Sequence, residues 1–466
     1  MSPTVLAPEF DAELIARYDV AGPRYTSYPT APQFHAGFGE AELRAAIRTS
    51  NEEPIPTALS LYVHIPFCAS PCFYCGCNRI ITRDVVKADR YLERLYREIE
   101  LTAPLFDRDR PVRQLHFGGG TPNFLDVPRM HELMESLERH FAFAGDGQRE
   151  FGIEIDPRFA DADYIRALGG MGFNRISVGI QDFDPAVQVA VNRVQSVEQT
   201  GAVLEAARQS GFASANVDLI YGLPKQTPAG FARTLDEVVA LAPDRIAVYG
   251  YAHLPSLFKP QKQIQAEDLP DPATRLELLG LAIEKLGEAG YVYVGMDHFA
   301  REDDELVRAQ RAGTLQRNFQ GYSTHGECDI VGLGVSAIGR IGNTYNQNAR
   351  DLTGYYLALD AGHLPVARGI VLSEDDHIRR AAIGALMCEG RIDMAAFGAR
   401  HRLVFGDYFG EELQRLQRLA DDGLVEMDRR VLRVTSRGRF LLRIIAMCFD
   451  AYLHRQDAAP RYSRTI

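Results

Sequence analysis

Residues 68–77 read CASPCFYCGC, so Cys68, Cys72, Cys75 and Cys77 crowd into one loop, while Cys328, Cys388 and Cys448 lie far apart. Clustered thiols in a long chain point to metal or redox chemistry in a reducing compartment, because a disulfide framework spreads its cysteines. Three chemistries compete for the spacing C-x3-C-x2-C-x-C. A structural zinc site takes four thiolates, usually as two separated C-x2-C pairs, and one tight loop reaches tetrahedral corners poorly. A dithiol redox pair needs a single C-x2-C and leaves Cys68 and Cys77 unexplained. An iron–sulfur cluster draws its thiolates from closely spaced cysteines and suits this loop best. The three scattered cysteines are expected to be inert core thiols.

The loop follows an apolar run, LSLYVHIPF, and that run opens a series: QLHFGGGTP, FGIEIDP, RISVGIQDF, ANVDLIYGLP and RIAVYGYAHLP. Each has β propensity and ends in a polar, Gly or Pro cluster. Between them stand helical patterns such as ADRYLERLYREIELTAPLF and GFARTLDEVVAL, with apolar residues at helical spacing. Strand, helix, strand, repeated about six times, predicts a parallel sheet. The near-continuous apolar strands predict a sheet covered on both faces. Polar residues gather at the strands' C-terminal ends: His64, Gly118 to Thr121, Glu154 and Asp156, Gln181 and Asp182, Asp218, His253. In a barrel these ends converge on one mouth; in an open sheet they would be strung along an edge. The chain is therefore read as α/β, with a partial (β/α)6-type barrel over residues 54–300 and YVYVGMDHFA, Tyr291 to Ala300, as the last strand to join.

Residues 1–53 are expected to form an arm over the site, and 301–364 a loop-rich connecting segment that contributes to it. Residues 365–466 are expected to form a mainly helical domain with a winged-helix-like end. A net charge of −11 argues against a nucleic-acid partner, whatever that shape suggests. With 46% apolar and 24% charged residues the composition is that of a globular chain, and no run approaches the length of a membrane span. The N-terminus lacks a basic region followed by an apolar one, so a cytoplasmic location is expected.

Several residues admit a structural reading beside the functional one. Gly118–Gly119–Gly120 could be a plain turn, yet followed by Thr121 and downstream of the cysteine loop it reads as a close backbone approach to a ligand. Glu154 and Asp156 alternate on a strand and point the same way, so one can cap a helix while Glu154 faces the mouth. Asp218 sits inside an apolar run, where burial is costly without a partner, and a ligand role such as holding ribose hydroxyls is expected. Arg193 taken alone reads as a solvated surface charge. His253 and His298 read as structural.

C-x3-C-x2-C is the signature of the radical S-adenosylmethionine (SAM) enzymes. That resemblance implies three thiolates on three irons of a [4Fe–4S] cluster and a fourth iron open to chelation by SAM, whose cleavage yields a 5′-deoxyadenosyl radical. Cys77 is then expected to stay off the metal. Further motifs, GPRYTSYPTA, LYVHIPFC, CGCN, HFGGGTP, IEIDP, SVGIQDF, NVDLIYGLPKQT, YAHLP, GMDHFA, RNFQGY, GVSAI and RYSRTI, resemble the bacterial oxygen-independent coproporphyrinogen III oxidases from about residue 17 to residue 466. The resemblance implies oxidative decarboxylation of the ring A and B propionates of coproporphyrinogen III to vinyls, giving protoporphyrinogen IX.

It also implies two SAM molecules, a reduced electron donor such as flavodoxin or ferredoxin, an electron acceptor, and a monomer. By position, Cys68, Cys72 and Cys75 match the cluster ligands. Tyr62, Gly119, Glu154 and Ile338 match the surroundings of the cluster-bound SAM. Tyr74, Gly120, Thr121, Gln181, Arg193, Asp218 and Ala252 match those of the second SAM. His64, Phe319 and Gln320 match further positions near the site, and Cys77 belongs to the same catalytic group. Residues 69–71, ASP, depart from the basic residue that the family carries there. Arg24, Lys225, Arg301 and Arg317 are candidates for the propionates, since arginine pairs bidentately with carboxylates. The alternative is a radical SAM-type haem-binding chaperone, against which Cys77 and the Tyr25–Tyr28 arm argue.

Overall fold

The computed structural model describes residues 8–455, 462 and 464. The first seven residues of the expected arm, and most of the terminal RYSRTI, lie outside the described residues. Each apolar run of the repeat forms a strand: β1 (Leu59–Ile65), β2 (Val112–Gly119), β3 (Glu150–Ile155), β4 (Arg175–Gln181), β5 (Ser214–Tyr221) and β6 (Arg245–Gly250). All five pairings between these neighbours are parallel. The helices between them start at side-chain caps: Asp84 before Val85–Thr102, Asp126 before Val127–His140, Asp161 before Ala162–Gly170, Ser196 before Val197–Gln209 and Thr227 before Pro228–Leu241.

Three expectations need correction. Tyr291 to Ala300 is not one strand but a hairpin, β7 (Tyr291–Gly295) and β8 (His298–Arg301), with β8 antiparallel on β6 and β7 outermost. Met296, at φ +53°, makes the turn. Residues 301–364 are not mainly loop. They supply β9 (Asp329–Leu333), parallel on β1, then β10 (Ile338–Ile341) and β11 (Thr344–Asn348), and β12 (Val366–Val371) follows beyond 364. Their short length and polar pairs such as Asn346 and Gln347 hid them from a hydrophobic pattern. The sheet thus has twelve strands in the order β12-β11-β10-β9-β1-β2-β3-β4-β5-β6-β8-β7 and is open, its β12 edge met by His35 of the arm at Gly369.

The sheet is also not apolar on both faces. In β5, Ala215, Val217, Leu219 and Tyr221 are buried in the core under the helices, whereas Asn216, Asp218 and Ile220 are only half-buried. The second set lines the inside of the partial barrel, where space is left for ligands.

The C-terminal region has its own core, built on a helix at Glu374–Glu389, a helix at Gly410–Asp421 and a three-stranded sheet, β13 (Arg391–Asp393), β14 (Val425–Met427) and β15 (Val431–Val434). Helices followed by this small sheet give the winged-helix-like end. Arg443 reaches back to the arm and donates to the carbonyls of Gly22 and Pro23. Tyr25 donates from its hydroxyl to Asp450 at 3.0 Å.

Candidate active site

The cysteine loop is closed at its base by a short parallel pairing of Phe67 and Cys68 with Ile80 and Ile81. Within it the Arg79 guanidinium donates to the carbonyls of Cys72, Cys75 and Cys77. Three sulfurs each receive a donor. Thr121 Oγ1 lies 3.3 Å from Cys68 Sγ. Arg158 Nη2 and Arg193 Nη1 each lie 3.6 Å from Cys72 Sγ. The Cys77 N–H donates to Cys75 Sγ at 3.5 Å.

Cys68 and Cys72 are buried, Cys75 is half-buried and Cys77 is exposed. Burial pushes the Cys68 thiol up to about 11, with Thr121 pulling it back. A hydrogen bond from the Cys77 thiol holds Cys75 down, to about 6, and the same bond raises Cys77. Cys75 is thus the thiolate of this pair and Cys77 the thiol. No three of the loop's sulfurs lie within 4.8 Å of one another. Thiolates round a single zinc ion would stand about 3.8 Å apart, so the spread suits a cluster rather than one ion.

Strand ends bring the first group of expected SAM residues together. Tyr62 OH lies 3.2 Å from His64 Nδ1, whose other nitrogen is 3.0 Å from the Asn78 carbonyl. With Nε2–H donating to that carbonyl, Nδ1 accepts from Tyr62. Gly118 and Gly119 end β2, Gly120 and Thr121 follow it, and Gly119 has φ +117°. A Cβ there would come 2.6 Å from His64 Cε1, one at Gly118 2.9 Å from Glu154 Oε1, and one at Gly120 2.7 Å from the Pro66 backbone. Gly119 and Gly120 are therefore required by protein neighbours, a reason the sequence reading did not anticipate, whereas at Gly118 the Glu154 side chain could move aside. Glu154 faces the interior, 3.4 Å from His116 Nε2, and the His116 ring stacks on Tyr62 at 6.0 Å. Asp156 does the capping, accepting from the Arg158 N–H.

A second group lies on the neighbouring strands. Asp156 binds both Arg158 (2.7 Å) and Arg193 (3.1 Å). Arg193 is buried, not solvated, and also donates to the Gly179 carbonyl at 2.7 Å. Gln181, at φ +69°, turns its amide over the same glycine. Asp218 accepts from Ser177 Oγ and Asn216 Nδ2, each at 3.0 Å; burial, with Glu154 nearby, raises it to about 6. Tyr74 and Ala252 meet through Gln261, whose amide donates to both carbonyls (2.8 and 3.1 Å).

On the β9 side, Ile338 and Phe319 pack against a cluster that includes Tyr345, with the Phe319 ring edge-on to it at 5.6 Å. The Ile338 backbone presses on Gly332, the β9 partner of Tyr62. The Gln320 amide nitrogen is buried without an acceptor.

A family model described as the Radical SAM superfamily matches residues 62–238, and the HemN C-terminal domain model matches residues 372–441. An oxygen-independent coproporphyrinogen III oxidase of Pseudomonas aeruginosa is 52% identical over 98% of this chain and 99% of its own. That of Escherichia coli K12 is 49% identical over the same shares. The chain belongs to the oxygen-independent coproporphyrinogen III oxidase family. A solved structure, described as coproporphyrinogen III oxidase (HemN) from Escherichia coli, a radical SAM enzyme, superposes with a TM-score of 0.91 over 96% of this chain and all of that one. The zinc and dithiol readings of the loop give way to the radical SAM reading.

Residues of this oxidase fold that sequence reasoning missed mostly share one signal, a strand position two away from a recognised residue. His116 stands two before Gly118 and Asn216 two before Asp218, Ser177 is the β4 partner of Asn216, and all line the barrel interior. Arg158 and Gln261 lie outside that pattern, and only folding reveals them. Of the propionate candidates, Arg24 is ion-paired with Asp297 at 2.9 Å and Lys225 with Asp268. Arg301 is exposed beside Asp244, at the barrel end away from the cysteine loop. Among the described residues neither Arg301 nor Arg317 is ion-paired, and of the two only Arg317 is half-buried.

Proposed function

We propose that this chain decarboxylates the ring A and B propionates of coproporphyrinogen III to vinyls and yields protoporphyrinogen IX without oxygen. The observation that carries the reading is the division of one loop, at the barrel mouth, into three sulfurs with outside or backbone donors and a fourth, exposed cysteine whose backbone N–H serves one of them. Cys68, Cys72 and Cys75 would hold three irons of a [4Fe–4S] cluster. When bound, the cluster and SAM supply a 5′-deoxyadenosyl radical able to take a hydrogen atom from a propionate β-carbon. CO2 and one electron then leave, the electron going to an external acceptor.

The chain's own residues position and shield. Tyr62, Gly119, Glu154 and Ile338 surround the cluster-bound SAM, with His64 holding the Tyr62 hydroxyl. Tyr74, Gly120, Thr121, Gln181, Arg193, Asp218 and Ala252 surround a second SAM, and the Asp218 carboxylate suits ribose hydroxyls. Phe319 and Gln320 face the substrate side, and the unpaired Gln320 amide is a donor awaiting an acceptor. Cys77 stays off the metal. A low-potential flavodoxin- or ferredoxin-type protein supplies the electron, the protein works as a cytoplasmic monomer, and the arm closes the site.

Substrate deuterated at the propionate β-carbons tests this. Anaerobic turnover should place deuterium in 5′-deoxyadenosine together with formation of vinyl product. Unlabelled 5′-deoxyadenosine with no vinyl product would refute it.

A further inference from the structure

A cavity of about 1000 Å3 opens between the barrel and the C-terminal domain. Its walls include Tyr25–Tyr28 of the arm, the hairpin strand Gln316–Asn318, the Glu374–Glu389 helix and β13. Five arginines line it. Arg340 of β10 is committed to the Gly326 and Cys328 carbonyls, which leaves four from four elements: Arg317 from the hairpin, Arg380 from the helix, Arg391 from β13, and Arg400 from the helix Met394–His401. Arg317 Nε and Nη1, Arg380 Nη1 and Arg391 Nε are closed off from solvent and meet no acceptor. Among the described residues none of the four is ion-paired. Arg317 lies over the Tyr322 ring at 4.8 Å, a contact that leaves its N–H groups unmet.

The acids in the wall do not satisfy them. Asp329 is committed to Arg110 at 2.7 Å, and Glu53, Glu327, Glu389 and Asp393 form no ion pair with these arginines. Buried guanidinium donors without acceptors are destabilising unless a ligand completes them. Three arginines carry such donors, and with the exposed Arg400 they set four guanidinium groups round one cavity, which calls for an occupant with several separated carboxylates. Phe319 lines the same cavity and packs in the cluster that holds Ile338, so the space adjoins the site already described.

We infer that this cavity seats the porphyrinogen, with Arg317, Arg380, Arg391 and Arg400 holding its propionates, so that the C-terminal domain completes the substrate site. The inference rests on the function proposed above. A tetrapyrrole carries its four propionates round its rim, matching arginines set round a cavity, and each guanidinium can meet a carboxylate with two parallel bonds. The product, with two propionates fewer, would lose part of this hold and leave.

Fluorescence titration of the reconstituted holoprotein with coproporphyrin III, the air-stable tetracarboxylate, tests the assignment. Arg380→Gln and Arg391→Gln should each weaken binding about tenfold or more, and protoporphyrin IX should bind the wild type more weakly than coproporphyrin III does. Arg380→Lys, with the charge but not the fork, should fall between, and iron content checks that each variant is folded. Lys225→Gln, on the barrel surface, should bind as the wild type does. Wild-type affinity in both glutamine variants, or equal affinity for the two porphyrins, overturns the site while leaving the decarboxylation untouched. A wild type that binds coproporphyrin III but decarboxylates nothing overturns the function instead.

Discussion

Cys77 differs from its three neighbours in what surrounds it rather than in its chemistry. Thr121, Arg158 and Arg193 serve Cys68 and Cys72, whereas Cys77 gives its backbone N–H to Cys75. Cys77→Ser keeps that N–H, so iron per chain should be unchanged, whereas Cys72→Ser should lose most of it; equal loss in both would refute the division. Asp218 makes a second prediction. Its carboxyl is raised to about 6 from 3.8 by burial, so the folded state holds the proton more tightly. That contribution to stability is complete below pH 3.8 and is lost as pH rises through about 6. Asp218→Asn should therefore raise the Tm of the ligand-free protein at pH 7.5, with the gain shrinking towards pH 4, and should weaken SAM binding. A gain that is the same at both pH values would contradict this account. At this scale the sequence was most legible where a strand end announced a residue, as at Asp218 and Glu154. It was least legible where two distant loops meet, as in Gln261 bridging Tyr74 and Ala252.

The helix Val85–Thr102 shows how elements hold the site's floor. Tyr91 donates to the His64 carbonyl at 2.6 Å and accepts from the Val335 N–H at 3.1 Å. Glu98, two turns further along the same face, accepts from the Gly334 N–H, Asn348 Nδ2 and Tyr355 OH. One helix thus joins the end of β1 to the turn before β10, which carries Ile338. Tyr91→Phe leaves a buried carbonyl and a buried N–H unmet, a cost of about 1–3 kcal/mol. It should lower Tm and speed amide exchange at Val335 more than at residues of β5; uniform exchange would show that the helix does not link the two strands. The six-strand repeat was readable because its alternation of apolar runs and helical spacing is strong. Strands β9 to β12 escaped because they are short and partly polar, and their burial comes from β9 pairing with β1, from their pairing with one another and from the arm rather than from their own composition. The Tyr291–Ala300 run was read as one strand because a tight turn at Met296, a non-glycine residue at positive φ, leaves no Gly or Pro mark in the pattern.

Across the whole molecule, the arm, barrel and C-terminal domain meet round Arg443, Tyr25 and Arg24. Arg443 holds the Gly22 and Pro23 carbonyls, and Arg24 reaches Asp297 in the β7–β8 turn. Arg443→Gln leaves those carbonyls short of donors and should raise exchange and protease cutting at residues 22–28; unchanged protection would mean the arm is held by its aromatic packing alone. Family membership over the full length, the barrel with its cysteine loop, and the arginine-lined cavity converge on one reaction. The most direct measurement is anaerobic incubation of the reconstituted protein with SAM, a low-potential reductant, an electron acceptor and coproporphyrinogen III, followed by chromatography of the porphyrins. The account predicts protoporphyrinogen IX, with two CO2 released and 5′-deoxyadenosine formed alongside. Intact coproporphyrinogen III after incubation with a cluster-loaded protein, together with tight haem binding, would contradict it.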